Sequence, residues 1–266
     1  MKKKTSLVAK IVLVIIAIYL ITPFLATFVY SLFTEWTGVL PHGFTLRNYT
    51  ELFADTDFWL AIGRTLVLCA VSVIVTIILL LLAMYPVTVM NHKLGSYMQF
   101  ICMVPYALQG VILSISIISI YATADGILSN RMLMLFGAYS ILVLPYIYQG
   151  IRNSLNAIDA KTLIQAAEVL GCGRFQAYIK VILPNIFSGI LVSSLLAESI
   201  VFGDFVLANN IAGNNYENVS VYLNENMYTS SGLASAIVVV IFAVVFLVTG
   251  LMLKLQKNNS STSEER

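Results

Sequence analysis

The sequence predicts an all-α integral membrane protein of six transmembrane helices, in a single domain that covers residues 1–266. Of its 266 residues, 59% are hydrophobic and only 11% are charged, whereas about 25% of the residues of a soluble domain are charged. Crossing a bilayer takes about 20 apolar residues, and six stretches reach that length, which leaves no room for a soluble domain. The six predicted spans are residues 11–33, 65–89, 100–121, 132–151, 186–208 and 233–253.

The first span is close to the N-terminus, as a secretory signal peptide would be. Its apolar run is longer than the hydrophobic region of a signal peptide, and no small-residue cleavage site follows it. We therefore expect this segment to be retained as a transmembrane helix.

The distribution of Lys and Arg predicts the orientation, because connections rich in these residues stay on the cytoplasmic side. With the N-terminus inside, Arg47, Arg64 and Arg131 are the outer basic residues among the 15 in the chain. Both termini are then cytoplasmic, and the net charge of +2 gives no indication of a nucleic-acid partner. The inner basic residues are Lys2, Lys3, Lys4, Lys10, Lys93, Arg152, Lys161, Arg174, Lys180, Lys254, Lys257 and Arg266.

No enzyme or metal site is predicted from the reactive side chains. Cys69, Cys102 and Cys172 are isolated from one another in the sequence, which is typical of small apolar fillers and not of disulfides or metal ligands. His42 and His92 fall on opposite sides of the predicted membrane. No nucleophile and base can therefore be paired from their spacing.

Two related hexapeptides occur in the third and fourth spans. They read PYALQG at Pro105–Gly110 and PYIYQG at Pro145–Gly150. Each supplies a proline kink and a glutamine that a helix bundle can bury. Because the two spans run in opposite directions, the motifs are not expected at matching depths.

The connection between the fourth and fifth spans, residues 152–185, contains the stretch QAAEVLGCGRFQAYIKVILP. Asp159 is a suitable N-cap, and good helix formers follow it. Leu163, Ala167 and Leu170 are spaced to share one face of a short helix.

The end of this short helix is marked by glycine. Gly171 is expected to terminate it, and Gly173 is expected to permit a second sharp turn. A further short helix should then run until Pro184 breaks it before the fifth span. The predicted product is a compact helix-turn-helix on the cytoplasmic surface.

The fifth span combines small residues with two carboxylates. Gly189, Ser193 and Ala197 recur every fourth residue, which favours close helix packing at a bundle or subunit interface. Glu198 lies near the middle of the span and Asp204 nearer its outer end. A carboxylate in hydrocarbon costs on the order of 3 kcal/mol unless it faces water or a partner, so we expect both to face inward. The alternative is a structural hydrogen bond to a neighbouring helix.

The loop resembles one found in permease subunits of binding-protein-dependent ATP-binding-cassette (ABC) importers. That family carries E-A-A, three residues, G, nine residues and I-x-L-P. Gln165 replaces the usual Glu and removes a charge, whereas Val181 replaces Ile and keeps a β-branched apolar group. The positions that match the family's spacing are Gln165, Ala166, Ala167, Gly171, Val181, Leu183 and Pro184.

The resemblance implies a type I importer permease with six transmembrane helices in a bacterial cytoplasmic membrane. Residues 152–185 would hold a coupling helix that seats in a groove of a separate cytoplasmic ATPase, present in two copies. ATP and Mg²⁺ would be used by that ATPase, because this chain has no Gly-Lys dipeptide and hence no phosphate-binding loop. The other implied partners are an extracellular or periplasmic substrate-binding protein and a second permease subunit, expected to be a different chain.

Within this resemblance, Glu198, Asp204, Gln109 and Gln149 are the candidates for the translocation path. The stretches 41–53 and 202–223 resemble polyamine, ferric-iron and phosphonate permeases more than sugar permeases. Intramembrane carboxylates and acidic outer connections favour a cation, so the predicted substrate is a polyamine such as spermidine or putrescine. The acidic residues of the outer connections have a second explanation. Asp and Glu can accumulate there simply because Lys and Arg are kept on the cytoplasmic side. Ferric iron, phosphonate or a sugar is the alternative within the same importer class.

Two other functions fit a six-span protein. A gradient-driven secondary transporter or channel would use Glu198 and Asp204 as proton or cation sites and would transport without partners. A membrane scaffold would be indifferent to neutralising the two carboxylates. The permease interpretation instead predicts no uptake without an ATPase and a binding protein.

Overall fold

The computed structural model describes residues 7–35, 42–90, 93–121 and 126–264. Lys2, Lys3, Lys4, His92 and Arg266, which entered the predictions, lie outside the described residues. The described chain is helical apart from turns and one two-stranded hairpin, β1 (Phe33–Glu35) with β2 (His42–Phe44). In chain order the α-helices are α1 (Leu7–Ser31), α2 (Arg47–Ala54), α3 (Thr56–Val89), α4 (Leu94–Ala107), α5 (Val111–Tyr121), α6 (Arg131–Ala157), α7 (Ala160–Val169), α8 (Arg174–Ala177), α9 (Leu183–Gly203), α10 (Val206–Ile211), α11 (Val219–Asn226) and α12 (Ser231–Glu264).

The predicted all-α membrane fold is confirmed. Among the described residues, five helices are long and apolar enough to cross a membrane, and six spans result when one bent pair counts as a single span. The bent pair is α4 with α5, and the other spans contain α1, α3, α6, α9 and α12.

The third span differs from the continuous helix predicted at residues 100–121. It consists of α4 and α5, whose axes are bent by 101°. Gly110 has a φ of +70°, a left-handed conformation that ends a right-handed helix. Pro105, inside α4, has no N–H to donate to the preceding turn. The two residues together produce a break where the sequence indicated only a kink.

The fifth span begins and ends differently from its prediction. A π-helical turn at Tyr178–Ile182 connects α8 directly to α9, with Pro184 in the first turn of α9. Pro184 has no N–H to donate, but it directly follows the π-helical turn, where the regular helical hydrogen-bond pattern is already interrupted. The predicted break at Pro184 is therefore wrong. At its other end α9 stops at Gly203, Asp204 is extended, and the short helix α10 follows.

Two compact units make up the chain. One contains residues 1–60 and 222–244, and the other contains residues 61–221 and 245–266. In the first unit, β1 and β2 pair antiparallel, with Phe33 opposite Phe44. The Asn48 amide of α2 donates to the backbone carbonyls of Ser31 at 2.9 Å and Phe33 at 3.2 Å. These bonds fix α2 against the hairpin.

In the second unit, α6 and α9 cross at small residues. A Cβ added to Gly150 would lie 2.3 Å from the Cβ of Ser193, and one added to Gly189 would lie 1.7 Å from the Oγ of Ser154. Ala197, one turn further along α9, is fully buried. The predicted ridge of small residues is thus a bundle interface, in which the two backbones approach closely.

Candidate functional site

The loop between α6 and α9 forms a helix-turn-helix. Its first helix, α7, ends at Val169, and Gly171 follows with a φ of +82°. The Gly171 N–H donates to the Glu168 carbonyl and the Cys172 N–H to the Ala167 carbonyl, both at 2.9 Å. This pair of bonds is the Schellman motif, which satisfies carbonyls that would otherwise be exposed at the helix end. The predicted role of Gly171 is confirmed.

Two other local features of this loop differ from the prediction. Asp159 is the N-cap residue of α7, as predicted, but its φ is 44° and its side chain makes no capping bond to the backbone. Its Oδ2 instead accepts a hydrogen bond from the Thr162 hydroxyl at 2.7 Å. Gly173 has φ −67° and ψ 150°, an extended conformation that any residue can adopt. The turn therefore does not require a glycine at position 173.

The buried face of α7 also differs from the prediction. Ala160, Ile164 and Ala167 are buried, whereas Leu170 is 87% exposed. Leu170 occupies the C-cap, with φ −81° and ψ 9°, so it leaves the helical path just before the turn. Of the alanine pair, Ala167 therefore packs inward and only Ala166 is exposed.

The outward surface of α7 and its turn carries an apolar patch, which we call the coupling tip. Val169 is 86% exposed and Leu170 is 87% exposed, and neither is in a helix long enough to cross a membrane. Exposed apolar clusters of this kind mark binding surfaces. The sequence indicates this exposure of Val169 and Leu170, because the two residues directly precede a helix-ending glycine. The coupling tip comprises these two apolar residues and their exposed neighbours Gln165, Ala166 and Gly171.

The second arm of the loop is fixed to α3. The Tyr178 hydroxyl donates to the Leu81 carbonyl at 2.9 Å. The Tyr85 ring packs edge-on against Phe175 at 5.5 Å and against Tyr178 at 5.3 Å between ring centroids. An ion pair of 2.6 Å between Arg174 and Glu168 joins the two arms. Displacement of the loop would therefore be transmitted to α3 as well as to α9.

Removing the hydroxyl of Tyr178 tests this attachment. We expect Tyr178→Phe to lower the free energy of unfolding by about 1 kcal/mol, because the hydrogen bond to Leu81 is lost while the ring contacts remain. The readout is the thermal unfolding midpoint of the purified protein. Tyr228→Phe is the matched control, since Tyr228 is 82% exposed. Equal midpoints for the two variants would show that the bond does not stabilise the loop.

The remaining residues of the family pattern lie at the junction of α8 and α9. Val181 is half-buried within the π-helical turn, Leu183 begins α9 half-buried, and Pro184 is exposed. The Asn185 amide donates to the Val181 carbonyl at 2.7 Å. This bond satisfies a carbonyl in the wide turn, where the regular helical pattern is interrupted.

Glu198 and Asp204 have different surroundings. Glu198 is 4% exposed and lines a cleft of about 440 Å³ in the second unit, between α3, α9 and α12. Asp204 Oδ2 accepts hydrogen bonds from the Tyr139 hydroxyl at 2.9 Å and from the Leu207 N–H at 3.0 Å. Asp204 thus holds the start of α10 and links it to α6, which agrees with the structural alternative. A role in transport stays a prediction for both carboxylates.

Gln109 and Gln149 both lie where the C-terminal part of α4 and its following turn contact α6. The Gln109 amide donates to the Tyr146 hydroxyl at 3.1 Å, and the Gln149 amide lies 3.6 Å from the Met103 sulfur. Tyr106 and Tyr146 also meet edge-on, at 4.9 Å between centroids. Residues of the two hexapeptides therefore contact each other at one level, contrary to expectation.

Neither histidines, cysteines nor carboxylates form a metal-ligand cluster in the described part of the chain. No group of three or more such side chains there could hold an ion. Cys69 and Cys102 are buried free thiols and Cys172 is a half-buried one.

Comparison with known proteins identifies a transport family. The family model described as "binding-protein-dependent transport system inner membrane component" matches residues 80–259. A sulfoquinovosyl glycerol transport system permease protein, SmoH of Agrobacterium fabrum, is 26% identical over 174 residues, or 65% of this chain and 60% of the relative. The spermidine/putrescine transport system permease protein PotB of Escherichia coli is 24% identical over 186 residues, or 64% and 66%. The matched region spans less than two thirds of either relative.

Two further similarities extend over more of the chain. The trehalose transport system permease protein SugA of Mycobacterium tuberculosis is 28% identical over 231 residues, which are 79% of this chain and 74% of the relative. A crystal structure of a bacterial ABC transporter involved in the import of the acidic polysaccharide alginate has a chain that matches with a TM-score of 0.63. That match has 17% identity and covers 93% of this chain and 94% of the other. It shows a shared fold.

Proposed function

Because this chain belongs to the family of binding-protein-dependent transport system inner membrane components, we propose that it is the permease subunit of an ATP-driven importer. It is a multi-pass membrane protein, and we assign its whole length to one permease domain. The observation that carries the proposal is the coupling tip, an apolar surface on a short helix between two spans. Such a surface is typical of a protein-interaction site.

The proposed partner of the coupling tip is a cytoplasmic ATPase, present in two copies. Val169 and Leu170 would be buried in a groove on the ATPase, with Ala166 and Gly171 allowing its backbone to approach. ATP and Mg²⁺ are bound by the ATPase, and we assign no catalytic residue or cofactor to this chain. Residues 152–185 and both termini are then cytoplasmic, as the distribution of Lys and Arg indicates.

Movement of the ATPase would reach the spans by two routes. One runs from Phe175 and Tyr178 to α3, through the ring contacts with Tyr85 and the hydrogen bond to Leu81. The other runs through the π-helical turn at Tyr178–Ile182 into α9. Such turns are frequent at functional sites, and their wider hydrogen-bond spacing makes them places where a helix changes geometry.

We propose a polyamine as the substrate, selected outside by a substrate-binding protein. Support comes from the carboxylates of the fifth span, from the acidic outer connections and from the similarity to PotB. SmoH and SugA are named for sugars, so a sugar is the alternative, along with ferric iron and phosphonate. A second permease subunit, a different chain, completes the path. Glu198 is the main candidate within it, and Asp204, Gln109 and Gln149 are secondary candidates.

Reconstitution tests the importer against a gradient-driven transporter. In proteoliposomes, we expect uptake of spermidine only when this chain is present with its second permease subunit, the ATPase and the binding protein. ATP hydrolysis should rise when loaded binding protein is added, because its docking favours closure of the ATPase. Uptake by the chain alone, driven by an ion gradient, would instead establish a secondary transporter.

A further inference from the structure

Glu198 is a buried carboxylate without a hydrogen-bond partner in the described part of the chain. Its residue is 4% exposed, and neither Oε1 nor Oε2 has a donor among the described residues. A carboxylate in this condition is strongly unfavourable in an apolar environment. Its position in α9 therefore calls for a donor or a cation brought from outside these residues.

The cleft beside Glu198 is apolar. It has a volume of about 440 Å³, which is within the range of small-molecule sites. Its walls include Val73 and Ile77 of α3, Phe187 of α9 and Met252 of α12. No basic side chain occurs among the described residues that line it.

The other polar side chains of the cleft do not supply the hydrogen-bond donor that Glu198 lacks. The Ser194 hydroxyl already donates to the Ile190 carbonyl at 2.8 Å. Cys69 lines the cleft as a free thiol, which is only a weak donor. The cleft thus presents acceptors to an occupant and has almost no donors of its own.

We propose that this cleft binds the ammonium group of an aliphatic amine, with the carboxylate of Glu198 as the acceptor and the apolar walls in contact with the methylene chain. The inference rests on the proposed transport function and locates a binding site for its amine substrate. Charge complementarity identifies the ligand, since one carboxylate in an apolar cleft matches one cation carried on a hydrocarbon chain.

Donor counting separates an ammonium from the other candidate ligands. An ammonium brings two or three N–H donors, which the oxygens of Glu198 and the Ser194 hydroxyl oxygen can accept. A guanidinium brings five N–H donors in a planar fork, of which a bidentate pair with Glu198 uses two, and donors on the far side of the fork would face the apolar walls. A sugar would leave most of its hydroxyls unpaired against the apolar walls, at a large cost.

A lysine of the second permease subunit has the same chemistry as a free amine. We assign the cleft to the free amine, because a volume typical of drug-sized ligands is larger than one lysine side chain fills. The two sources of the ammonium are distinguished by the experiment.

The test is spermidine binding to the complete transporter in lipid nanodiscs, without the binding protein. We expect saturable binding of radiolabelled spermidine, weakened about ten- to a hundredfold by Glu198→Gln through loss of a charged hydrogen bond. Competition by n-hexylamine should be stronger than by n-hexylguanidine, and n-hexanol should not compete. Glu225→Gln removes an exposed carboxylate and should leave binding unchanged.

A second variant keeps the carboxylate of Glu198 and fills the cleft beside it. Ala70 is exposed and lines the cleft from α3, so Ala70→Phe should also abolish spermidine binding. Unchanged affinity in Glu198→Gln and Ala70→Phe would overturn the proposal. So would a wild-type transporter that binds no amine but separates from its second permease subunit when Glu198 is replaced, which would identify a lysine of that subunit as the occupant.

The proposed importer function is measured separately, as ATP hydrolysis stimulated by the binding protein. If that stimulation is intact and no amine binds, the assignment of the cleft fails and the importer function stands. If the stimulation is absent in the wild-type complex, the importer function itself fails.

Discussion

Replacing Leu170 with Asp is expected to separate this chain from its ATPase. Leu170 is 87% exposed at the coupling tip, so the change should leave the fold of the chain intact. In the assembled importer the side chain would be buried, and burial of a leucine contributes about 2 kcal/mol. An unpaired carboxylate at the same place adds a further penalty. We expect the affinity for the ATPase to fall by about a hundredfold or more, measured by co-purification and by binding of the isolated ATPase.

Two controls accompany Leu170→Asp. Leu170→Met keeps an apolar side chain of similar volume and should retain assembly. Asn156→Asp introduces the same charge at an exposed position at the end of α6, outside the coupling tip, and should also retain it. Normal assembly of the Leu170→Asp variant with the ATPase would show that the coupling tip is not the docking surface. Misfolding of this variant when the two controls fold would show the same.

Replacing Gly150 with Ala is expected to destabilise the whole bundle. The new Cβ would lie 2.3 Å from the Cβ of Ser193 and 3.3 Å from the Gly189 carbonyl oxygen. The Cβ of Ser193 cannot rotate away, so α6 and α9 would have to separate. Overpacking of this kind costs about 3 kcal/mol, which should appear as a much lower thermal unfolding midpoint and poor recovery from the membrane.

Two further variants isolate the cause of that loss. Gly137 lies on the same helix with nothing within 4 Å of an added Cβ, so Gly137→Ala should be neutral or slightly stabilising. Combining Gly150→Ala with Ser193→Gly removes the clashing Cβ atom. The double variant should therefore recover most of the stability that Gly150→Ala alone loses. A destabilised Gly137→Ala, or no recovery in the double variant, would indicate that the effect does not arise at the crossing of α6 and α9.

Features dictated by composition and local backbone geometry could be predicted from the sequence. The spans follow from the length of apolar runs, since only helices satisfy their backbone within a single segment in lipid. Gly171 ends α7 as expected because a φ of +82° is readily adopted only by glycine. The contact of Gly189 and Ser193 with α6 was likewise indicated by small residues at a helical spacing.

Features decided by tertiary contacts could not be predicted in this way. The bend at Gly110 and the uninterrupted passage of Pro184 into α9 both involve residues that can end a helix, and the surrounding packing selects the outcome. The inward face of α7 depends on where α8 and the π-helical turn lie. The sequence identifies Asp204 as a carboxylate in a span, but its bonds to Tyr139 and Leu207 depend on the position of α10.

The central claim is that the coupling tip contacts the ATPase, and photo-crosslinking tests it most directly. A photoreactive phenylalanine analogue is placed at position 170 of the complete transporter, with a second sample carrying it at the exposed residue Tyr228. We expect irradiation to join position 170 to the ATPase and to leave position 228 unlinked to it. Crosslinks from position 170 only to lipid or to the binding protein would contradict the account.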